Sequence, residues 1–344
     1  MIIRHSPAAT RHDPDSFFRY GRIVAHPESV ARYEVLLAAA ARVGEPREAE
    51  DHGLAPIAAV HDAGYLDLLR TGFSRAADGL DEILPTQFAP WTPHRRPDGL
   101  AGQLGYHMTD TSTPLRAGTW EAVYGAAQAA IGATDDAVRD GAAYALCRPP
   151  GHHASGAHAG GFCYLNNAAV AAERLRTRVG RVAILDIDVH HGNGTQAIFY
   201  DRDDVLFVSI HAETASYFPY FSGYADERGT GAGQGFNRNL PLPLGSDDDA
   251  YCAAIAEGLA QVAAFAPEGL VVSLGLDAAA EDPIGAFAVT EQGFARAAEM
   301  IAQVRKPTVL VQEGGYPSDA LGRNLIAFLS RFDAARQARE VAPA

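Results

Sequence analysis

A single-domain, open α/β fold with a mostly parallel β-sheet flanked by helices is what this sequence predicts, on three observations. Five short apolar runs alternate with longer stretches of helical period, the pattern of strands joined by crossover helices. The runs are rich in Val, Ile, Leu and Ala, as strands covered on both faces should be. Six of the 13 histidines fall between residues 152 and 211, just past the ends of such runs, on the edge where open α/β sheets bind ligands.

Taken in order, Trp120 to Arg139 is alanine-rich, with charges at helical spacing, and reads as a helix. Ala142 to Cys147 follows as a strand. Asn167 to Arg178 is the next helix, and Val182 to Asp188 and Val205 to His211 are the next strands. Helix Asp248 to Phe265 leads into strand Leu270 to Asp277, and helix Glu291 to Val304 into strand Thr308 to Gln312. Ser318 to Phe332 closes the series as a helix. One segment breaks the rhythm: Asp81 to Pro114 is rich in Pro, Gly, Thr and His and has no clear period. A loop of this length in a compact domain is usually functional or disordered. Its aromatics Phe88, Trp91 and Tyr106 argue for burial, against this subunit or a partner.

Residues 1–344 are expected to form one domain. Lys plus Arg number 28 against 42 Asp plus Glu, a net charge of -14. That balance argues against a nucleic-acid partner, which needs a basic face for phosphates, and favours cationic or neutral substrates. With no apolar run near the ~18 residues of a membrane span, and no signal-peptide pattern in Met1 to Arg4, a cytoplasmic protein without a membrane partner is expected. Cys147, Cys163 and Cys252 are too few and too scattered for a disulfide framework and read as packed free thiols.

The chemistry concentrates in Leu185-Asp-Ile-Asp-Val-His-His-Gly-Asn-Gly194. Ligands two residues apart point to one side of an extended strand, so Asp188 and His190 face one way together. Asp186 shares that face, but three in line from one strand leave one of them a supporting part. Asp277 supplies the third ligand, a carboxylate at the end of an apolar strand that is costly there without a cation or donor. Two Asp and one His around zinc leave a coordination position open, the catalytic arrangement. Arg148-Pro-Pro-Gly-His-His-Ala154 presents adjacent imidazoles, His152 and His153, in a bend, and a neutral imidazole there suits a general base. In Gln312-Glu-Gly-Gly-Tyr316 the glycines let the chain turn so that the Tyr316 phenol can reach over the site as an oxyanion donor.

These motifs, with His26-Pro-Glu28, Val60-His-Asp-Ala-Gly-Tyr65 and Gly160-Gly-Phe-Cys-Tyr-Leu-Asn-Asn-Ala168, run over nearly the whole chain. The sequence resembles the zinc-dependent histone deacetylase superfamily, and most closely its bacterial acetylpolyamine amidohydrolases and histone deacetylase-like amidohydrolases. The resemblance implies the arginase/deacetylase-like fold, one Zn2+ per chain on Asp188, His190 and Asp277, and hydrolysis of the acetamide of an N-acetylated amine: an acetylpolyamine, an acetyl-lysine or another small N-acyl amine. It implies His153 as the base, His152 as its charge-tuning neighbour paired to Asp186, and Tyr316 as the oxyanion donor. Asn193 stands where many relatives carry an aspartate beside the second histidine. Phe162 and Phe218 match the aromatic walls of the acyl channel, with Gly161 and Ile284 beside them. A structural K+ or Na+ is implied at Asp186, Ser209 and Ile210, and a second monovalent cation at Phe199, Arg202 and Val205.

Segment 81–114 resembles an insertion through which relatives dimerise and narrow the active-site mouth, so a homodimer is expected. Ala101 and Ser112 stand where acetylpolyamine hydrolases place acidic residues, which weakens the polyamine reading, although Asp98 or Asp110 can substitute. Iron(II) or cobalt can replace zinc in such a ligand set. A catalytically silent acyl-amine sensor is the alternative, set against a complete His152, His153 and Tyr316 set. A ureohydrolase is disfavoured by Asp277-Ala-Ala-Ala280, which lacks a second bridging carboxylate.

Overall fold

A computed structural model describes residues 1–89 and 95–338. Trp91, one of the aromatics singled out above, lies outside the described residues. The expected sheet is present and has eight strands, every neighbouring pair parallel. In chain order they are β1 (Ile2–His5), β2 (Glu45–Glu48), β3 (Ala142–Leu146), β4 (Val182–Asp186), β5 (Val205–Ala212), β6 (Asn237–Leu242), β7 (Gly269–Leu274) and β8 (Thr308–Gln312). Their order across the sheet is β6-β5-β4-β7-β8-β3-β1-β2. From β4 the chain steps to β5 on one side, whereas from β7 it steps to β8 on the other. The β4/β7 boundary is therefore the switch point where open parallel sheets bind ligands, beyond the strand C-termini.

Burial on both faces explains the apolar runs. Ala183 and Leu185 of β4 join one hydrophobic layer, while Val182 and Ile184, pointing the other way, join the second. Helices α1 (Val30–Ala40), α5 (Asp248–Phe265), α6 (Glu291–Ala302) and α7 (Leu321–Gln337) supply the first layer; α2 (Thr119–Asp140) and α3 (Asn167–Val179) supply the second; α4 (Asn193–Phe199) follows β4. Side-chain caps fix three starts: Asn166 accepts from Ala169 N, Asp247 from Asp249 N and Ala250 N, and Thr290 from Gly293 N.

Three strands carried no readable signal. β2 is Glu-Pro-Arg-Glu, fully exposed, and β6 contains Asn, Arg and Pro; both are sheet edges, where charge and proline are tolerated. β1 is only four residues long. Segment 81–114 also differs from the irregular stretch expected. Glu82–Ile83 pairs antiparallel with Leu115–Arg116, and Leu100–His107 is helical, its glycines having hidden the period. Phe88 packs against a third apolar cluster beneath it, within this chain. Among the described residues no helix is long and apolar enough to cross a membrane, and all three cysteines are buried free thiols.

Candidate active site

Strand β4 ends at Asp186, two residues earlier than the apolar run suggests, because side chains take over from the ladder. The amide of Asp188 donates to Asp186 Oδ1 at 3.1 Å, and that of His190 to Asp188 Oδ1 at 2.9 Å. The resulting bend carries Asp188 and His190 toward Asp277, just beyond β7. His190 Nδ1 lies 3.1 Å from an oxygen of each carboxylate. Among the described residues these three form the one cluster of at least three potential metal-ligating side chains, with one ligand atom from each lying within 4.8 Å of the others. Both carboxylates are fully buried. Two anions and an imidazole nitrogen, converging and removed from water, suit a divalent cation of borderline hardness. Asp186 stays outside the cluster.

Backbone geometry enforces the convergence. The Gly314 amide donates to Asp188 Oδ2 at 2.7 Å and the Val189 amide to Asp277 Oδ1 at 3.1 Å. A Cβ on Gly314 would fall on both carboxylates, so this glycine is needed for close approach; the turn itself is set by Gly315, at φ 109°.

The adjacent histidines diverge. His152 Nδ1 donates to Asp186 Oδ2 at 3.0 Å, whereas His153 Nδ1 donates to Asn193 Oδ1 at 2.7 Å. Burial opposes charge on both rings, but the carboxylates of Asp188 and Asp186 outweigh it at His152 and push it up to about 10. At His153 burial is reinforced by the positive neighbours His152 and His190, and its pKa falls well below the ordinary value. The two neighbouring rings are thus pushed in opposite directions, and His153 is the one favoured to be neutral, with Nε2 left to accept a proton. Glu313, within the Tyr316 motif, holds this bend by accepting the amides of Gly151 and His152 at 2.6 and 3.0 Å.

Above the carboxylates lies a cavity of about 520 Å³. His153, His190 and Tyr316 open into its floor; Gly161, Phe162, Phe218 and Ile284 form its walls. A Cβ on Gly161 would strike the His153 ring, and Gly161 and Phe162 both have left-handed backbone, at φ 53° and 68°. Tyr316 is 3% exposed, its ring 5.8 Å from that of Phe162 and its phenol pKa raised well above normal by burial. It therefore stays a proton donor. Asp110 lines this cavity and Asp98 does not; Asp110 accepts from Gly161 N at 2.8 Å, and Ser112 Oγ accepts from Phe162 N at 3.2 Å.

Asp186 and Ser209 are register partners on β4 and β5, with Ile210 next along. Phe199, Arg202 and Val205 gather at the opposite, N-terminal end of β5, where Arg202 N donates to Phe199 O at 3.1 Å and its guanidinium lies 5.0 Å over the Phe199 ring. Three contributors escaped the sequence reading. Tyr217 stacks on His190, centroids 5.1 Å apart, and donates to the carbonyl of Ile284. Asp282 accepts from the Tyr316 amide. The hairpin Ser16–Arg19 with Arg22–Ala25 forms part of the outer rim. Only the hairpin left a trace, a Tyr20-Gly21 turn between alternating residues.

Several known proteins are similar to this chain over most of its length. The histone deacetylase domain model matches residues 26–332. An acetylpolyamine amidohydrolase of Burkholderia pseudomallei is 46% identical, over 98% of this chain and 100% of its own length. Acetylpolyamine amidohydrolase 1 of Pseudomonas aeruginosa is 47% identical, over 85% of this chain and 87% of its own. A crystal structure of the acetylpolyamine aminohydrolase from Burkholderia pseudomallei superposes with a TM-score of 0.93 at 45% identity, covering 97% of this chain and 99% of that one.

Proposed function

The chain belongs to the histone deacetylase domain family, and from its relatives and its site we propose that it is a metal-dependent amidohydrolase that removes the acetyl group from a small N-acetylated amine. One observation carries this reading: His153 and Tyr316 open into the same cavity floor as His190, one of three residues converging on a single cation position.

Asp188, His190 and Asp277 are the proposed holders of Zn2+, with iron(II) or cobalt as substitutes. Such an ion, when bound, supplies Lewis acidity, polarising the acetamide carbonyl and acidifying water. The chain's own groups do the rest. His153 Nε2 takes the proton of the attacking water, its tautomer fixed by the Nδ1 hydrogen bond to Asn193. The Tyr316 hydroxyl donates to the oxygen that becomes negative. His153 then returns its proton to the departing amine, while His152, held by Asp186, tunes the charge beside the reacting centre. Phe162 and Phe218 exclude water around the acetyl group.

K+ or Na+ at Asp186, Ser209 and Ile210 belongs to the same proposal, as does a second monovalent ion at Phe199, Arg202 and Val205. We assign segment 81–114 to a homodimer contact that narrows the active-site mouth, to be tested by sedimentation. Three free thiols agree with a reducing, cytoplasmic setting. The substrate class includes the acetylpolyamines of the relatives' names.

Amine release from acetylated diamines and acetyl-lysine, before and after exhaustive chelation and zinc return, tests the function. Activity lost on chelation and restored by about one ion per chain is the expected result. Undiminished activity in the chelated protein, or no acetamide turned over by the metal-loaded one, would end this assignment.

A further inference from the structure

The charges on the cavity's outer wall point to a narrower class of substrate. His153, Tyr316, Phe162, Phe218 and Asp110 line the cavity together with Phe17, Arg19 and Tyr20 of the hairpin, the Phe17 ring lying 5.5 Å from that of Phe162. Among the described lining residues, Asp110 is the sole carboxylate and Arg19 the sole guanidinium. A long polycation needs several anionic contacts. This wall offers one, held in place by hydrogen bonds from Ser112 N, Ser112 Oγ and Gly161 N.

The hairpin adds a second point. Arg19 and Arg22 are direct cross-strand partners flanking a two-residue turn in which Tyr20 and Gly21 both have positive φ, at 50° and 76°. Like charges so placed repel. Neither arginine forms an ion pair with a described carboxylate, in a chain of net charge -14. Tyr20 and Tyr220 both line the mouth, their hydroxyls 3.4 Å apart, and the Arg19 guanidinium lies 5.5 Å from the Tyr20 ring. Of the two arginines, Arg19 lines the cavity, and an uncompensated guanidinium at a substrate entrance can receive a carboxylate.

We propose that the preferred substrate is a zwitterion: an α,ω-diamino acid acetylated on its side-chain amine, its α-carboxylate met by Arg19 and its α-ammonium by Asp110. This rests on the amidohydrolase reading above. Water cleaves the amide C–N bond, giving acetate and the free diamino acid, whose ω-amine takes up the proton passed on by His153. Recognition lies in the two free α groups, so a lysine inside a peptide, where both are amides, lacks it.

The test compares kcat/KM of the metal-loaded full chain on Nε-acetyl-L-lysine, its α-carboxamide and N-acetylcadaverine, which is the same molecule without the carboxylate. Acetyl-lysine is expected to lead both by roughly tenfold, as for one charge-assisted contact at a partly exposed site. The lead should lie mainly in KM, collapse in Arg19→Ala and invert in Arg19→Glu; Arg19 sits on an exposed hairpin, so folding is not at stake. N-acetylcadaverine turned over as well as acetyl-lysine, or a lead that survives Arg19→Ala, overturns the proposal while leaving the amidohydrolase standing. Failure on every acetamide removes both together.

Discussion

Asp282 holds Tyr316 by its backbone: Oδ2 accepts the Tyr316 amide at 2.8 Å, while Oδ1 accepts that of Ile284 at 3.0 Å. One carboxylate thereby fixes a cavity wall and the phenol opposite the general base. Asp282→Ala is expected to lower kcat by about 100-fold, the cost of misplacing a reacting group by about 1 Å. Asp282→Asn keeps an acceptor and should recover most of it. Metal content measured alongside separates the cases: loss of metal in Asp282→Ala would mean that the residue supports the metal centre rather than Tyr316.

Tyr316 itself gives a sharper expectation. In Tyr316→Phe the ring still packs against Phe162, so binding survives while the oxyanion loses a donor. Turnover should fall by about 100- to 1,000-fold with little change in KM. Near-normal kcat in this variant would strip Tyr316 of its proposed role.

Gly314 tests the metal centre without touching a ligand. An alanine methyl would collide with the Asp188 and Asp277 carboxylates, so Gly314→Ala should weaken metal affinity by at least about tenfold. Competition with a chromophoric chelator reads this directly. Wild-type affinity would show that the carboxylates can move aside, against the tight placement described.

Acid sensitivity has a specific source in His61, which is buried and accepts a hydrogen bond from Asn166 N at 2.9 Å. Burial pushes its pKa down to about 4, against roughly 6.5 in an unfolded chain. Between those values the unfolded state binds more protons, so the His61 contribution is complete above pH 6.5 and lost as pH falls toward 4, by at most about 1.4 kcal/mol per pH unit. Asp282 and Glu313, pushed up to about 7 by burial, act in the opposite sense from pH 7 downward. The His61 term is therefore the difference between wild type and His61→Gln in urea unfolding at pH 7, 6 and 5. Parallel pH dependences would assign the sensitivity elsewhere.

The strands legible in the sequence, β3, β4, β5, β7 and β8, are the contiguous centre of the sheet, and the three missed, β1, β2 and β6, lie at its two sides. A central strand is covered on both faces and must be apolar throughout, which writes it into the residues; Glu45–Glu48 at the edge answers to water and carries no such mark. The site divides in the same way. Asp188, His190, Asp277, His152, His153 and Tyr316 were readable because strand periodicity and strand ends are local properties, and their motifs span only a few residues. Asp282 under Tyr316, Tyr217 on His190 and Arg19 at the mouth were decided by tertiary structure alone. Each acts across a gap between segments distant in sequence, and no local pattern records a contact that exists only after the sheet has closed and brought its loops to one edge.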